Sequence, residues 1–262
     1  MDAGISTPDF STRESANARR PACHCRTSPA ILALGCARSR IFPSETILER
    51  EFHTARLLHK ECISELAQTY HFEFVLDDLE AFPFIPGQFI SAVAEDRTGH
   101  EQTRAYSLAS APRANRFDLC LNRVEGGFFS NRLADLPDVP VGGLVRVYGP
   151  NGFFTLREPV TDSLLVATGT GVAPMRGFLQ HLFPQDGPHA GEDRSQGKEI
   201  WLVYGTRHET ELYYRAEFEA LAARHANFHY LPALSRDAEN WTGFAATCRT
   251  TSPRSWKIAS RA

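Results

Sequence analysis

Arg104-Ala105-Tyr106-Ser107-Leu108-Ala109-Ser110 is the stretch on which the fold turns. Read as one extended segment, it carries a guanidinium, a flat phenol and two small hydroxyls. Further on, Gly126-Gly127-Phe128-Phe129-Ser130 reads as a Gly-rich turn opening a helix. Together the two suit a flat aromatic ligand that carries phosphates. A lone R-x-Y-S is a weak signal. Its force comes from Gly169-Thr170-Gly171-Val172-Ala173-Pro174, which ends an apolar strand and begins a helix, as a nucleotide-binding turn must.

Around the first stretch the pattern is one of short strands and frequent turns. Arg50 to Leu57, Phe72 to Leu76 and Gln88 to Val93 are short alternating runs. Phe117, Leu119 and Leu121 share one side of a strand while Asp118 and Asn122 face the other. Val145 and Val147 alternate with Arg146 before the turn signals of Gly149 to Gly152. This texture predicts a small antiparallel β-barrel over residues 47–157. From Thr161 the period changes. Leu164-Leu165-Val166-Ala167, Glu199 to Tyr204 and Phe228 to Leu234 read as buried parallel strands. Between them Phe178, Leu179 and Leu182 share one helical face, and Tyr214, Phe218 and Leu221 another. That predicts a Rossmann-like βαβαβ domain over residues 158–243, with a dinucleotide bound beyond the carboxyl ends of its strands.

The chain has 262 residues, 42% of them hydrophobic and 11% aromatic, enough to bury a core in each of two domains. Its 28 Lys and Arg against 31 Asp and Glu give a net charge of -3, so the overall balance offers no reason to expect a nucleic acid or an anionic membrane as partner. No apolar run approaches the length of a membrane span. The six cysteines include no C-x-x-C pair and no C-x4-C-x2-C run, which argues against a fused iron-sulfur domain. Cys23-His24-Cys25 lacks a fourth ligand at suitable spacing, so no metal site is expected. Residues 1–46, rich in Ser, Ala, Arg and Thr, predict a disordered extension. Ala30 to Cys36 is small and apolar but short and far from Met1, and Ala33 stands where lipoprotein-type cleavage calls for Leu. The expected location is therefore cytoplasmic. None of the ten histidines falls into a ligand or triad pattern, and they read as surface or cap residues.

Seven motifs then fall in one order: Pro86-Gly87-Gln88-Phe89, RAYSLAS, GGFFS, Tyr148 to Phe154, GTGVAP, Tyr204-Gly205-Thr206-Arg207 and Ser235-Arg236. In that order and rough spacing the chain resembles the ferredoxin–NADP reductase family, from about Leu48 to about Gly243. These are two-domain flavoproteins that pass electrons between a nicotinamide dinucleotide and a protein acceptor. The resemblance implies an FAD-binding barrel in which Arg104 clamps a phosphate, Tyr106 lies against the isoalloxazine and Ser107 presents a hydroxyl or N–H near the reacting ring nitrogen. Tyr106 and Ser107 are thus the residues expected nearest the chemistry. Ser110, Gly126, Gly127 and Ser130 complete the flavin site. Gly169, Thr170, Gly171 and Pro174 form the nucleotide turn, and Ser235-Arg236 with Arg207 meets the 2'-phosphate of NADP. FMN in place of FAD, and NAD in place of NADP, stay open, since relatives of each kind carry similar sequences. The implied partners are NAD(P)H and a separate acceptor protein such as ferredoxin or flavodoxin. An NADH-dependent reductase component of an oxygenase is the alternative enzyme, and a flavin-binding protein without reductase activity the alternative class. Hydride moves from nicotinamide to flavin in such proteins, so alignment, stacking and phosphate binding are the protein's work.

The chain departs from the family after Trp241-Thr242-Gly243. Where relatives continue with a helix, a fourth strand ending in Cys-Gly-Pro, another helix and a fifth strand, residues 244–262 contain no acidic residue and no strand or helix pattern. The expectation is a C-terminally truncated family member. In the implied strand order 3-2-1-4-5, loss of strand 4 removes one wall of the nucleotide crevice and leaves Leu164 to Ala167 as an exposed apolar edge.

Overall fold

The computed structural model describes residues 50–137, 142–236, 241 and 244–245. The readings of residues 1–46 and of the tail beyond Ala245 lie outside those residues.

Six antiparallel strands form the first sheet: β1 (Phe52–Ser64), β2 (Thr69–Leu76), β3 (Phe89–Glu95), β4 (Glu101–Ser107), β5 (Arg116–Asn122) and β6 (Leu144–Asn151). Their order is β4-β3-β6-β1-β2-β5. The sheet curls so that its two ends meet at a single bridge, Leu108 to Leu119, with the Ala109 N–H donating to the Asp118 carbonyl at 2.8 Å. It is barrel-like rather than closed by a full ladder. Alternation fills the inside with Ala55, Leu57, Phe72, Phe74, Ile90, Ala92, Phe117, Leu119, Val145 and Val147. A short helix, α1 (Phe128–Ala134), turns Phe129 and Leu133 into the same core. β1 runs seven residues past the Leu57 end suggested by its pattern, because β2 pairs with it as far as Ser64.

The second layer is a parallel sheet of β7 (Ser163–Thr168), β8 (Ile200–Thr206), β9 (Phe228–Leu234) and β10 (Phe244–Ala245), in the order β10-β9-β8-β7. Helices α2 (Val172–Leu182) and α3 (Arg215–Arg224) connect them. Leu165, Ala167, Phe178, Leu182, Leu202, Tyr204, Phe218 and Phe228 make one buried cluster. β10 corrects the expectation that no strand begins at Phe244, for two residues pair with Ala233 and Leu234. It lies on the β9 side, opposite the edge where a fourth family strand would pair. The continuous apolar run of β7 is also buried on one side only: Leu164 is 55% and Val166 50% exposed among the described residues. No helix among the described residues is long and apolar enough to cross a membrane.

Three further readings are corrected. Asp118 does not face water; it is 1% exposed, because β5 is covered on its outer side by α2. His53 and His71 are buried rather than surface residues. Tyr214 precedes the helix with a left-handed backbone, φ 59°, rather than sharing its face with Phe218 and Leu221.

Candidate active site

The two ends of the curled sheet carry the two halves of the first candidate cradle. On the edge strand β4, Arg104 and Tyr106 pair with Ala92 and Ile90 and so share one face, with Ser107 next along the chain. Arg104 is exposed; its Nη1 donates to the neighbouring Thr103 carbonyl at 2.8 Å, and no carboxylate among the described residues pairs with it. Tyr106 is half-buried against the barrel core. Burial pushes its phenol up to about 12, outweighing the lowering by Arg104, so it is neutral at any working pH. Beyond β5 the chain turns at Gly126, φ 70°, a conformation that suits glycine, and enters α1 from Gly127. No side chain caps that helix start and its first turn has no acidic residue, which leaves N–H groups available to an anion. A Cβ at Gly127 would lie 2.5 Å from the Ser130 hydroxyl. That hydroxyl accepts from the Val124 N–H at 3.0 Å and so shapes the turn. Ser110 is fully buried, its hydroxyl accepting from the Asp118 N–H at 3.1 Å, and its place is in the barrel seam.

The second cradle forms at the carboxyl ends of the parallel strands. After β7, Gly169 takes φ 51°, and a Cβ at Gly169 or Gly171 would meet nothing within 4 Å, so the space beside the turn is open. α2 starts at Val172 without a side-chain cap or an acidic first turn, and Pro174 sits buried inside its first turn, where a missing N–H is no loss. The turn is held from below by Tyr204, whose hydroxyl lies 3.1 Å from the Gly169 carbonyl and 3.2 Å from that of Glu211. The structure brings Ser235, Arg236 and Arg207 together: the Ser235 N–H donates to the Thr206 carbonyl and the Arg236 N–H to the Arg207 carbonyl, each at 3.0 Å. Both arginines are exposed and without a carboxylate partner among the described residues.

A group that motif reading passed over lies between the cradles. Asp118 accepts from Arg113 Nη2 at 2.5 Å and Arg176 Nη1 at 2.9 Å. His71 Nδ1 stands 3.0 Å from the Tyr214 hydroxyl, and the Thr69 and Tyr213 hydroxyls are 2.8 Å apart. These contacts join barrel strands to α2 and to the start of α3. Their signal in the sequence was faint, a lone carboxylate inside Phe117-Asp118-Leu119-Cys120-Leu121 and a lone guanidinium inside the apolar start of α2.

The donor set fits a flavin on the barrel and a dinucleotide on the parallel sheet: a guanidinium and a neutral phenol on β4, N–H groups without a side-chain cap at both Gly-rich turns, and two exposed arginines past β8 and β9, none of the three arginines paired with a carboxylate among the described residues. Such an arrangement suits a flavin- and nicotinamide-dependent oxidoreductase. Residues 54–156 match the family described as oxidoreductase FAD-binding domain and residues 165–250 that described as oxidoreductase NAD-binding domain. Ferredoxin–NADP reductase B of Sorangium cellulosum is 38% identical over 200 residues, covering 75% of this chain and 75% of that protein. The toluate 1,2-dioxygenase electron transfer component of Pseudomonas putida is 35% identical over 152 residues, covering 58% of this chain and 41% of that protein, so the chain spans less than half of this relative. Ferredoxin-NADP+ reductase from Plasmodium falciparum with 2'P-AMP superposes with a TM-score of 0.62 at 20% identity over 74% of this chain and 77% of that one. The chain belongs to the ferredoxin–NADP reductase family of flavoprotein oxidoreductases.

Proposed function

We propose that the protein binds FAD on its barrel and NADPH at the ends of β7 to β9, and passes electrons between NADPH and a separate acceptor protein such as ferredoxin or flavodoxin in the cytoplasm. FAD, held by the residues named below, would supply the chemistry that couples two-electron exchange with the nicotinamide to one-electron exchange with the acceptor. The chain's own residues bind and align. Arg104 holds a phosphate through its permanent charge and planar fork. Tyr106 offers a flat neutral face, and Ser107 stands at the end of β4 to hydrogen-bond the ring. Gly126 and Gly127 let the backbone approach the pyrophosphate, with Ser130 keeping the turn in shape. Gly169 to Gly171 and the start of α2 receive the dinucleotide phosphates, while Thr170 adds a hydroxyl. Ser235, Arg236 and Arg207 receive the 2'-phosphate.

The observation that carries this reading is the docking of α2 on the segment that continues from Ser107: Arg176 Nη1 donates to the Ala109 carbonyl at 2.8 Å. One helix thereby links the nucleotide turn to the flavin strand. The cysteines of this sequence lack the iron-sulfur spacing, which supports an acceptor carried on another chain. A second reading, the reductase component of an oxygenase system using NADH, is favoured by the 35% identity to the toluate dioxygenase component. Both are tested by loading the purified full chain with FAD or FMN, reducing it anaerobically with NADPH or NADH, and offering ferredoxin, flavodoxin or an oxygenase iron-sulfur protein. A chain that takes up neither flavin overturns both readings. Equal use of NADH and NADPH removes the preference for the first. A chain that binds flavin but is reduced by neither nucleotide is a flavin-binding protein without reductase activity.

A further inference from the structure

Where α2 crosses the barrel seam, charged side chains that belong to neither cradle gather around one buried carboxylate. Asp118 is 1% exposed and its two carboxylate oxygens are each held by a guanidinium, Arg113 at 2.5 Å and Arg176 at 2.9 Å. Arg176, 12% exposed, also donates from Nη1 to the Ala109 carbonyl at 2.8 Å and from Nε to Glu217 Oε2 at 2.7 Å, and lies 4.6 Å over the Tyr214 ring. Glu217 Oε1 accepts from Gln180 Nε2 at 3.1 Å, and Gln180 Oε1 accepts from the Ala111 N–H at 3.1 Å. Between them Gly177 presses so close that a Cβ there would meet the Ser110 carbonyl at 2.9 Å. α2 is thus fastened to residues 109–111 at three successive points.

Both fastened segments lead directly to a cradle. Ala109 follows Ser107 by two residues, roughly 7 Å of extended chain. Arg176 follows Gly171 by five residues, about 7.5 Å of helix. A shift at the cluster therefore moves one cradle relative to the other, while the bonds that shape each cradle stay in place. Burying this much charge is a poor way to gain stability, since apolar packing of similar volume does as well or better. What several directional bonds on one rigid fork provide is a fixed geometry. Resting on the function proposed above, we propose that Arg176, held between Asp118, Glu217 and the Ala109 carbonyl, is a positioning residue that sets the nicotinamide turn against the flavin strand. It governs how fast bound NADPH reduces the flavin, and not how tightly either ligand binds.

The test uses the full chain and the variants Arg176→Lys, Arg176→Gln and Glu217→Gln. Flavin reduction is followed by anaerobic stopped flow over a range of NADPH, which separates the limiting rate from the dissociation constant. In Arg176→Gln the limiting rate should fall by about 10- to 100-fold, the usual cost of a misplacement near 1 Å. The dissociation constants for FAD and NADPH should stay within about threefold of the parent, since an interaction outside both cradles adds nothing to ground-state binding. Arg176→Lys should fall between the two, keeping charge but not the fork. A readout independent of turnover is amide exchange in the flavin-free protein. Leu108–Ala111 and α2 should exchange at least about tenfold faster in Arg176→Gln, with β1 and β2 unchanged.

A limiting rate within about twofold of the parent, affinity and rate falling in proportion, or unchanged exchange each overturns the proposal. Should Arg176→Gln fail to fold, Glu217→Gln leaves Asp118 paired, and a limiting rate unchanged in that variant overturns it equally. A parent reduced by neither NADPH nor NADH sinks the proposed function instead; the clamp then stands or falls on the exchange result alone.

Discussion

Replacing Arg104 by alanine separates ligand binding from folding. The side chain is exposed, its Nη1 donates to the adjacent Thr103 carbonyl, and no carboxylate among the described residues depends on it. Its loss should alter the stability of the flavin-free protein by no more than about 0.5 kcal/mol, the range for such surface positions. If the guanidinium holds a flavin phosphate, it makes charge-assisted hydrogen bonds worth about 1.5 to 3 kcal/mol. At 1.4 kcal/mol per tenfold, FAD affinity should drop about 10- to 150-fold. Titration of flavin-free protein with FAD, followed by quenching of flavin fluorescence, measures this directly. Arg104→Lys should lie between parent and alanine variant, because an ammonium keeps the charge and loses the fork. An affinity change under about threefold would refute the assignment, being too small for even one charge-assisted bond. So would a melting temperature lowered by more than about 3 °C in the flavin-free form, since that would make Arg104 part of the fold.

In Gly87→Ala the new Cβ would lie 1.9 Å from the Phe154 carbonyl and 2.6 Å from the Phe178 ring, at φ 93°. The cost should be about 3 kcal/mol or more, a fall of roughly 6 to 12 °C in melting temperature, and a fall under about 3 °C would show that the loop simply relaxes. Arg236→Ala and Arg207→Ala should each weaken NADPH binding about 10- to 150-fold while leaving NADH unchanged; equal effects on both nucleotides would remove the 2'-phosphate from the reading. His71 is held below its ordinary value of 6.5 chiefly by burial, with Arg176 and His59 lowering it further and Asp118 and Glu73 opposing. Asp118 cannot prevail because two guanidiniums already neutralise it. The unfolded chain therefore binds that proton more readily, and this part of the stability is present above pH 6.5 and lost as the pH falls below it. In His71→Gln, which leaves Asp118, Glu73, Arg176, His59 and Tyr214 in place, denaturant stability should decline less between about pH 7 and pH 5.5, and equal declines would contradict the burial argument.

Much of this was legible along the chain because local rules govern it. Phe117, Leu119 and Leu121 alternate into the barrel, and Val145 and Val147 do the same. Gly169 to Pro174 makes the strand-to-helix turn that its glycines and proline call for. The failures share one cause: a second body covers a surface that a single strand or helix leaves open. Asp118 reads as outward by alternation and is outward from the barrel, yet α2 lies there and buries it. His71 is on β2, within reach of Tyr214 from the nucleotide domain. Arg176 reads as a polar interruption of an apolar helix face, and its purpose appears only when β5 is set against it. Tyr214 looks like part of a helical stripe, but its left-handed backbone starts the helix one residue later. No pattern confined to one segment can report contacts between segments 58 residues apart, the separation of Arg176 from Asp118.

The sheet order explains why affinity and rate can be assigned to different residues. β4 and β5 are the two ends of the six-stranded sheet, and each leads to half of the proposed flavin cradle. Those halves meet only because the sheet curls, and the junction is made by the barrel's own backbone: the Leu108–Leu119 bridge, the Ala109 N–H on the Asp118 carbonyl, and the Asp118 N–H on Ser110 Oγ. None of these bonds requires the nucleotide domain, so the junction beneath the proposed flavin cradle forms without α2. α2 then approaches the outside of that junction and bonds to groups the barrel leaves over, namely the Ala109 carbonyl, the Ala111 N–H and the Asp118 carboxylate. A change confined to the second set disturbs where the nucleotide turn stands relative to a flavin that is still bound. A change in the first set, such as Ser110→Ala, removes a bond that keeps β4 beside β5. It should lower flavin affinity before it alters the rate at saturating nucleotide.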